Sequence, residues 1–296
     1  MKNNRKFTAL ILALCISAVL FGCGQQKLRP EIAKPGAALS ADVKIPVGIK
    51  TEPPESAKYV YELAVDLERA KEQAGRCLGV SLDDYEQDGI SDDYICYTVN
   101  GWSVEITTEN GYWSIGCLDE KEGKAGDISD EKAAEAAADF LRRHGLLDDA
   151  ASCGAVGLGE GLRSDGTYGV VEKTAYFYPK VEGLNVLGIF RIGVTVNTDG
   201  KVVSVYYLTS PVVNKIPVET ASRAGLERAV ASRDYSASFS QELTDTKITN
   251  GKYSLYADGA AVNGKTYLYP VFVLIGEGTA ADGKTETFDV IIDAQT

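Results

Sequence analysis

Four acidic side chains near position 88 have the spacing of a calcium-binding loop. The first, third, fifth and ninth places of this stretch are occupied by Asp84, Glu86, Asp88 and Asp92. Carboxylate oxygens at alternating positions can surround Ca²⁺, and Gly89 at the sixth place permits the sharp turn. The twelfth place holds Ile95 instead of a bidentate glutamate. A calcium site and a solvated acidic turn are therefore both open, and the missing ligand favours the turn.

Catalytic chemistry has little support in this sequence. The single histidine, His144, precedes Gly145 in a helix-stop pattern, where it would cap carbonyl groups and favour the helix dipole. Neither a Ser-His-Asp arrangement nor a His-Glu-x-x-His motif is indicated. The glycine-rich run at 157–161 does not join a strand to a helix start, so it predicts a flexible loop. We expect no enzyme, although a carboxylate pair for hydrolysis could lie among the 42 acidic residues.

The sequence contains six cysteines, of which Cys15 and Cys23 lie near the N-terminus. The other four are Cys77, Cys96, Cys117 and Cys153. Their spacing contains no Cys-x-x-Cys, so neither a zinc site nor a redox pair is indicated. In an oxidising compartment they could form two disulfides, and buried free thiols are the alternative. Because Cys96 and Cys117 lie on two candidate strands of one antiparallel unit, they are the first pair we expect to be bridged.

The N-terminus has the pattern of an exported, lipid-modified protein. A basic head is followed by an apolar run over residues 7–21 and then by Gly22-Cys23. That run is shorter than the roughly 20 residues needed to span a bilayer, which indicates a cleaved signal over residues 1–22. Leu20 to Cys23 resembles a bacterial lipobox, although Phe21 is larger than usual. The resemblance implies a palmitate-type lipid on Cys23 and a place on the extracytoplasmic face of the cell membrane. An ordinary signal peptide with a coincidental cysteine is the alternative.

The charge balance argues against nucleic-acid partners. The chain has 30 basic and 42 acidic residues, a net charge of −12. Removing Lys2, Arg5 and Lys6 with the signal leaves 27 basic residues against 42 acidic ones, a net charge of −15. An acidic surface repels both nucleic acid and anionic lipid headgroups. The predicted lipid would hold the protein at a membrane that its body does not bind.

The rest of the chain predicts an α+β fold with repeated units. Five of the nine prolines fall in residues 23–56, which predicts an extended tether, with an edge strand as the alternative for residues 43–49. Apolar periodicity predicts helices over 57–74, from Ser129 onward, and over 219–230. Asn-Gly and Asp-Gly pairs between β-rich runs predict antiparallel hairpins. The pattern divides the chain into units at 57–126, 127–215 and 216–296, each a helix followed by antiparallel strands.

Short motifs in the last two units carry a family resemblance. They lie at residues 128–131, 178–186, 216–221, 268–273 and 290–296. Across residues 127–296 they resemble the PepSY and YycI/YycH-like group of exported bacterial proteins, in which a final strand ends in Asp-Ala-x-Thr. The resemblance implies a PepSY-like, non-catalytic envelope domain that restrains a peptidase or modulates a sensor kinase. YycI-like proteins usually have a transmembrane anchor, which commonly takes part in the interaction with a kinase. The lipid signal of this chain departs from that pattern and counts against a kinase partner.

Binding is the function that these observations favour. We expect a lipid-anchored, non-enzymatic envelope protein that binds, and thereby regulates, another envelope protein or a peptide, with strand addition at a sheet edge as the physical mode. Aromatic residues are concentrated in the last unit, at Tyr253, Tyr256, Tyr267 and Tyr269, and in the first unit, at Trp102 and Trp113. We expect them to pack a sheet face against helices, with binding of a peptide or glycan as the alternative. A lipoprotein that binds a small ligand or calcium for sensing or uptake is the second hypothesis.

Overall fold

A computed structural model describes residues 28–37, 39, 43–118, 127–147, 152–162, 166–239, 241–262 and 264–296. For Ile90, Ser152 and Leu162 it describes the backbone alone. Within these ranges the chain forms three α-helices, sixteen strands and two short 3₁₀ turns. The predicted mixed α+β class, rich in antiparallel strands, is confirmed.

The helices are α1 (Leu67–Leu78), α2 (Asp130–Arg143) and α3 (Arg223–Ala231). The strands of the first half are β1 (Tyr59–Leu63), β2 (Gly89–Ile90), β3 (Tyr94–Val99), β4 (Trp102–Thr107), β5 (Trp113–Cys117), β6 (Ser152–Leu162), β7 (Tyr168–Tyr178) and β8 (Lys180–Val181). Those of the second half are β9 (Leu184–Gly188), β10 (Arg191–Asn197), β11 (Val202–Leu208), β12 (Val212–Pro217), β13 (Ser236–Ala237), β14 (Thr244–Ala257), β15 (Thr266–Thr279) and β16 (Thr285–Asp293).

Sheet I, the first of two eight-stranded sheets, has the order β2-β3-β4-β5-β11-β10-β7-β6, and every pairing in it is antiparallel. Helices α1 and α2 pack on one of its faces, where small side chains such as Ala74 and Ala137 allow close approach. A buried row across the sheet meets them, made of Val104, Ile115, Val205, Val194 and Ala175. The other face of sheet I carries no helix among the described residues.

Helix α2 begins where the sequence predicted. The Ser129 side chain accepts a hydrogen bond from the Lys132 backbone N–H at 3.3 Å, which satisfies one free donor of the first turn. Lys173 on β7 then ties this turn to sheet I, because its ammonium lies 2.9 Å from Asp130 and 3.3 Å from Asp127. The hydrogen bond to Asp130 is the main reason that the pKa of Lys173 is raised.

The first predicted helix is wrong over its N-terminal half. Residues 57–74 were predicted as helical, but Tyr59–Leu63 is strand β1, between β12 and β15 of the second sheet. Val60, Tyr61 and Leu63 are buried, so the segment is apolar on both faces and fits a central strand as well as a helix. The helix starts only after Asp66, whose side chain accepts from the Arg69 N–H at 3.0 Å.

Sheet II has the order β12-β1-β15-β14-β9-β8, and β16 pairs with β15 while β13 pairs with β16. The β14–β9 pairing is parallel, and the other pairings are antiparallel. Helix α3 packs on this sheet through Leu226 and Val230. It starts at Arg223, later than the predicted residue 219, because Ser222 is the residue whose side chain caps the first turn.

The segment predicted as a tether is packed on sheet II from Leu28 onward. Its apolar side chains Ala37, Leu39 and Ile45 are buried in the same core as Leu226 of α3. The Arg223 guanidinium donates hydrogen bonds to three backbone carbonyl oxygens of this segment, those of Ile45, Pro46 and Ile49. The described part of residues 23–56 is therefore a structural element of the fold rather than an extended tether.

Most of the predicted hairpin turns are confirmed, and one is wrong. Asn100-Gly101 joins β3 to β4, and Asp199-Gly200 joins β10 to β11. Gly251 instead lies inside β14, although Asn250-Gly251 predicted a turn. A Cβ at Gly251 would come 2.6 Å from Ile49 Cγ2, so glycine is needed here for the N-terminal segment to approach the sheet.

The three predicted units do not form three sheets. Strands from the first unit (β3–β5) and from the second (β6, β7, β10, β11) share sheet I. In sheet II, β1 of the first unit pairs with β15 of the third, and β9 of the second pairs with β14 of the third. The repeated PepSY-like unit and its boundaries stay predictions.

Candidate functional site

The helix-free face of sheet I presents a row of polar and aromatic residues in direct register. Glu105 of β4 pairs with Ser114 of β5, which pairs with Tyr206 of β11. Tyr206 pairs with Gly193 of β10, which pairs with Tyr176 of β7. Cross-strand partners share a face, so these five residues lie side by side over five neighbouring strands.

A groove of about 420 Å³ lies on this face. It is lined by Glu105, Thr107, Tyr112, Trp113, Ser114, Tyr176, Arg191, Gly193, Tyr206 and Leu208. A Cβ at Gly193 would come 2.7 Å from Tyr206 Cδ2 and 3.3 Å from Tyr176 Cε1. The missing side chain lets the two tyrosine rings lie close over the buried backbone of Gly193.

Arg191 is the cation of the groove. Its guanidinium carbon lies 5.1 Å from the centroid of the Tyr176 ring, within the range of a cation–π interaction. Among the described residues no hydrogen bond or ion pair joins this guanidinium to another group, whereas Arg76 and Arg142 each pair with a carboxylate. The Tyr176 ring positions the Arg191 fork while its N–H donors stay free for a ligand.

The other end of the groove is acidic and has a rigid base. Glu105 is exposed there, and it has no ion-pair partner within the described part of the chain. Beneath it Trp113 is buried, stacks on Tyr207 at 5.1 Å and donates from Nε1 to Gln73 Oε1 at 3.3 Å. Burial, and then the charge of Asp258, raises the pKa of Tyr112, so this side chain is a neutral phenol. The groove thus has separate cationic and anionic ends.

A free strand edge borders the same sheet. The eleven-residue strand β6 pairs with β7 on one side and with no other strand in the described ranges. Gly154 and Gly157 of β6 make room for the rings of β7, since a Cβ at Gly154 would come 2.7 Å from Tyr178 Cδ2. Leu158 is 62% exposed on this edge. The glycine-rich run at 157–161, predicted as a loop, is therefore part of an edge strand.

The acidic stretch, for which a calcium loop and a solvated turn were both open, forms a short 3₁₀ turn followed by strand β2. Asp84 ends a 3₁₀ turn, whereas Asp88 donates its backbone N–H to the Cys96 carbonyl at 3.0 Å and leads into β2. Pairing of β2 with β3 extends the chain at Gly89–Ile90, between Asp88 and Asp92. No group of three or more potential metal ligands occurs among the residues that the structure describes.

The predicted Cys96–Cys117 disulfide is absent, and the four cysteines after residue 28 are free thiols. Strand β4 lies between β3 and β5, so two strand spacings, about 10 Å, separate Cys96 from the level of Ser114, and Cys117 lies three residues farther along β5. This is beyond the Cα separation of a disulfide. Burial raises the pKa of Cys77 to about 12 and also raises that of Cys96. These thiols are protonated at neutral pH, which makes them poor nucleophiles.

His144 has a capping role that differs in its partner from the prediction. It ends α2, but its Nδ1 lies 3.0 Å from the Arg76 carbonyl oxygen in the last turn of α1. Arg76 returns the contact by donating to the His144 carbonyl at 3.2 Å. The only histidine of the chain therefore fastens two helix ends together.

The predicted aromatic cluster of the last unit packs mainly into sheet II. Tyr253, Tyr267 and Tyr269 are buried, and Tyr253 packs edge-on against Phe272 at 4.9 Å. The groove tyrosines were not singled out from the sequence. Tyr176, Gly193 and Tyr206 are spread over about thirty residues, and strand register alone brings them together.

Cys23 and the predicted signal lie outside the described residues. Within those residues, no helix has the length and apolar character needed to cross a membrane.

No protein-family model and no curated protein matches the sequence. The C-terminal domain of YpeB from Bacillus megaterium is similar in structure, with 15% identity and a TM-score of 0.40, over 75% of this chain and 97% of that one. An uncharacterized protein from Eubacterium rectale ATCC 33656 has 12% identity and a TM-score of 0.42, over 81% of this chain and 84% of that one. Similarities at this level carry no argument about function.

Proposed function

We propose that this chain is a lipid-anchored, non-enzymatic protein of the bacterial cell envelope that binds an extended segment of another envelope protein. Binding occurs by strand addition to the free edge of β6. The observation that carries the proposal is this edge, which offers eleven residues of strand with one side unpaired among the described residues. An unpaired strand edge supplies main-chain donors and acceptors to an incoming strand.

The side chains of β6 leave this edge accessible. Glycines at 154, 157, 159 and 161 place no side chain in the way of a neighbouring strand. Leu158 offers one apolar contact, and Glu160 offers one negative charge. A second copy of the chain is disfavoured because each copy carries a net charge of −12. The proposed occupant is a segment that carries basic residues.

Three further observations support parts of this proposal. The N-terminal signal pattern ending at Cys23 supports a lipid anchor on the extracytoplasmic face of the membrane. The engagement of His144 between two helix ends supports a structural role for the one histidine. The resemblance of residues 127–296 to PepSY and YycI/YycH-like proteins supports a sensor kinase or a peptidase as the regulated partner.

Site-specific photo-crosslinking in cells tests the edge. A benzophenone amino acid replaces Leu158, and in a control it replaces Val213. Val213 is matched because it is 60% exposed and also lies on an edge strand, β12 of sheet II. We expect a defined adduct from position 158 and none from position 213, with the partner identified by mass spectrometry.

The partner is then purified and its affinity measured with charged edge variants. A lysine on an edge strand opposes strand addition, so Leu158→Lys should weaken binding by at least about tenfold, and Val213→Lys should leave it unchanged. Equal adducts from both positions, or equal affinities of the two variants, would overturn the proposal. Palmitate labelling of Cys23→Ala tests the anchor separately, and unchanged labelling would exclude it.

A further inference from the structure

The groove on the helix-free face of sheet I is a surface separate from the β6 edge. Its polar side chains converge without satisfying one another. Among the described residues, no side-chain hydrogen bond or ion pair involves Arg191, Glu105, Ser114, Thr107 or the hydroxyl groups of Tyr176 and Tyr206. Surface polar groups that share a groove and have no protein partner are available to a ligand.

The cationic end of the groove selects the chemistry of that ligand. Arg191 lies over Tyr176, so the guanidinium is oriented by the ring while its fork is free. A planar carboxylate accepts two parallel hydrogen bonds from such a fork. The chain as a whole is acidic, with a net charge of −12, and so repels polyanions at long range. A ligand with a single carboxylate is therefore favoured over a polyanion.

The acidic end of the groove determines the length of the ligand and the sign of its second charge. Glu105 is on β4 and Tyr176 is on β7, and strands β5, β11 and β10 lie between them. Four strand spacings amount to about 19 Å, which an extended peptide covers with about five or six residues. A basic group at the far end of such a ligand would face the exposed Glu105 carboxylate.

The middle of the groove fits a flat apolar group. The rings of Tyr206 and Tyr176 lie over Gly193, which is buried beneath them. Tyrosine rings present large, rigid surfaces to peptide planes and aromatic side chains. On the helix-covered side of sheet I, Trp113 stacks on Tyr207 in the core and supports the strands from behind.

We propose that this groove binds a short peptide of about five residues, with its C-terminal carboxylate on Arg191 and a basic residue at its other end near Glu105. This inference does not depend on the β6 edge, because the two surfaces use different side chains. Strand addition involves main-chain groups of β6, whereas the groove uses side chains of β4, β5, β7, β10 and β11.

A defined peptide mixture tests the groove. Pentapeptides of the form Lys-X-X-X-Ala are prepared with a free C-terminal carboxylate and, separately, with a C-terminal amide. Both sets are passed over the immobilised protein, and retained members are quantified by mass spectrometry. We expect the free acids to be retained about 10- to 100-fold more than the amides, the ratio that a charged hydrogen-bond pair supplies.

Three variants in the groove and one control connect that result to the groove. Arg191→Gln should remove the preference for the free acid, whereas Arg228→Gln, an exposed arginine on α3, should keep it. Gly193→Val would displace the Tyr206 ring and should abolish retention; because it could also disturb the sheet, its unfolding midpoint is measured in parallel. Glu105→Gln should remove the preference for Lys over Ala at the first position of the peptide.

Equal retention of acids and amides, or an unchanged preference in Arg191→Gln, would overturn the proposal. Retention of a uronic-acid oligosaccharide in place of the peptides would also overturn it, because the carboxylate would then come from a glycan. Leu158→Lys should bind the peptides like the wild type, so failure of the edge proposal and failure of the groove proposal are distinguishable.

Discussion

Gly188 and Gly183 show how much one methyl group matters at two positions with nearly the same backbone. Their φ angles are +84° and +82°, in the region that favours glycine. A Cβ at Gly188 would lie 2.1 Å from the Ala257 carbonyl oxygen, whereas a Cβ at Gly183 would meet nothing within 4 Å. Gly188 therefore combines backbone strain with a direct collision, at the point where β9 pairs with β14.

We expect Gly183→Ala to lower the free energy of unfolding by about 1 kcal/mol and Gly188→Ala by at least about 3 kcal/mol. Urea unfolding followed by tryptophan fluorescence and circular dichroism measures both. Equal losses in the two variants would show that backbone strain alone acts at these glycines and that the contact with Ala257 is relieved without cost.

At the scale of the element, the start of α2 depends on one side chain. Replacing Ser129 by Ala removes the acceptor for the Lys132 N–H and should cost about 1 kcal/mol of unfolding free energy. Ser129→Asp keeps an acceptor at the cap and should stay within a few tenths of a kcal/mol of the wild type. A loss as large in Ser129→Asp as in Ser129→Ala would contradict the capping role.

Local signals predicted elements well where one signal dominated. Ser129 with its acidic first turn predicted the start of α2, and Asp199-Gly200 predicted the β10–β11 hairpin. The prediction was wrong where the hydrophobic pattern fits both a helix and a buried strand. Tyr59–Leu63 is such a segment, because it is apolar enough for either. The glycines of β6 suggested a loop, because their packing partners on β7 are not visible in the local sequence.

At the scale of the molecule, the N-terminal segment is attached to the body through Arg223. Arg223→Lys keeps the charge but loses the fork that reaches the carbonyl groups of residues 45, 46 and 49. We expect proteolysis within residues 44–50 to accelerate several-fold, as local opening becomes easier. Limited proteolysis with mass mapping measures this rate. The exposed Arg228 provides the control, and Arg228→Lys should be cleaved at the wild-type rate.

The groove was not predicted from the sequence, because it is formed by strands that pair over long distances along the chain. The groove depends on register between the hairpin β4–β5, the hairpin β10–β11 and strand β7, and longer connections separate these three parts along the chain. Nothing in the neighbourhood of Arg191 specifies that Tyr176 will lie beneath its guanidinium. The predicted antiparallel class was accessible from hairpin signals, whereas the sharing of two sheets by three predicted units depends on long-range pairing.

The packing of the chain from Leu28 onward determines how far the protein can reach. With the proposed lipid on Cys23, only residues 24–27 separate the anchor from the folded body. Five Cα steps span at most about 18 Å, less than the diameter of a small domain. The body would then search for partners within a thin layer next to the bilayer, where a partner in the same membrane is at high effective concentration. A modest intrinsic affinity would be sufficient for occupancy there, and partners elsewhere in the envelope would be out of range.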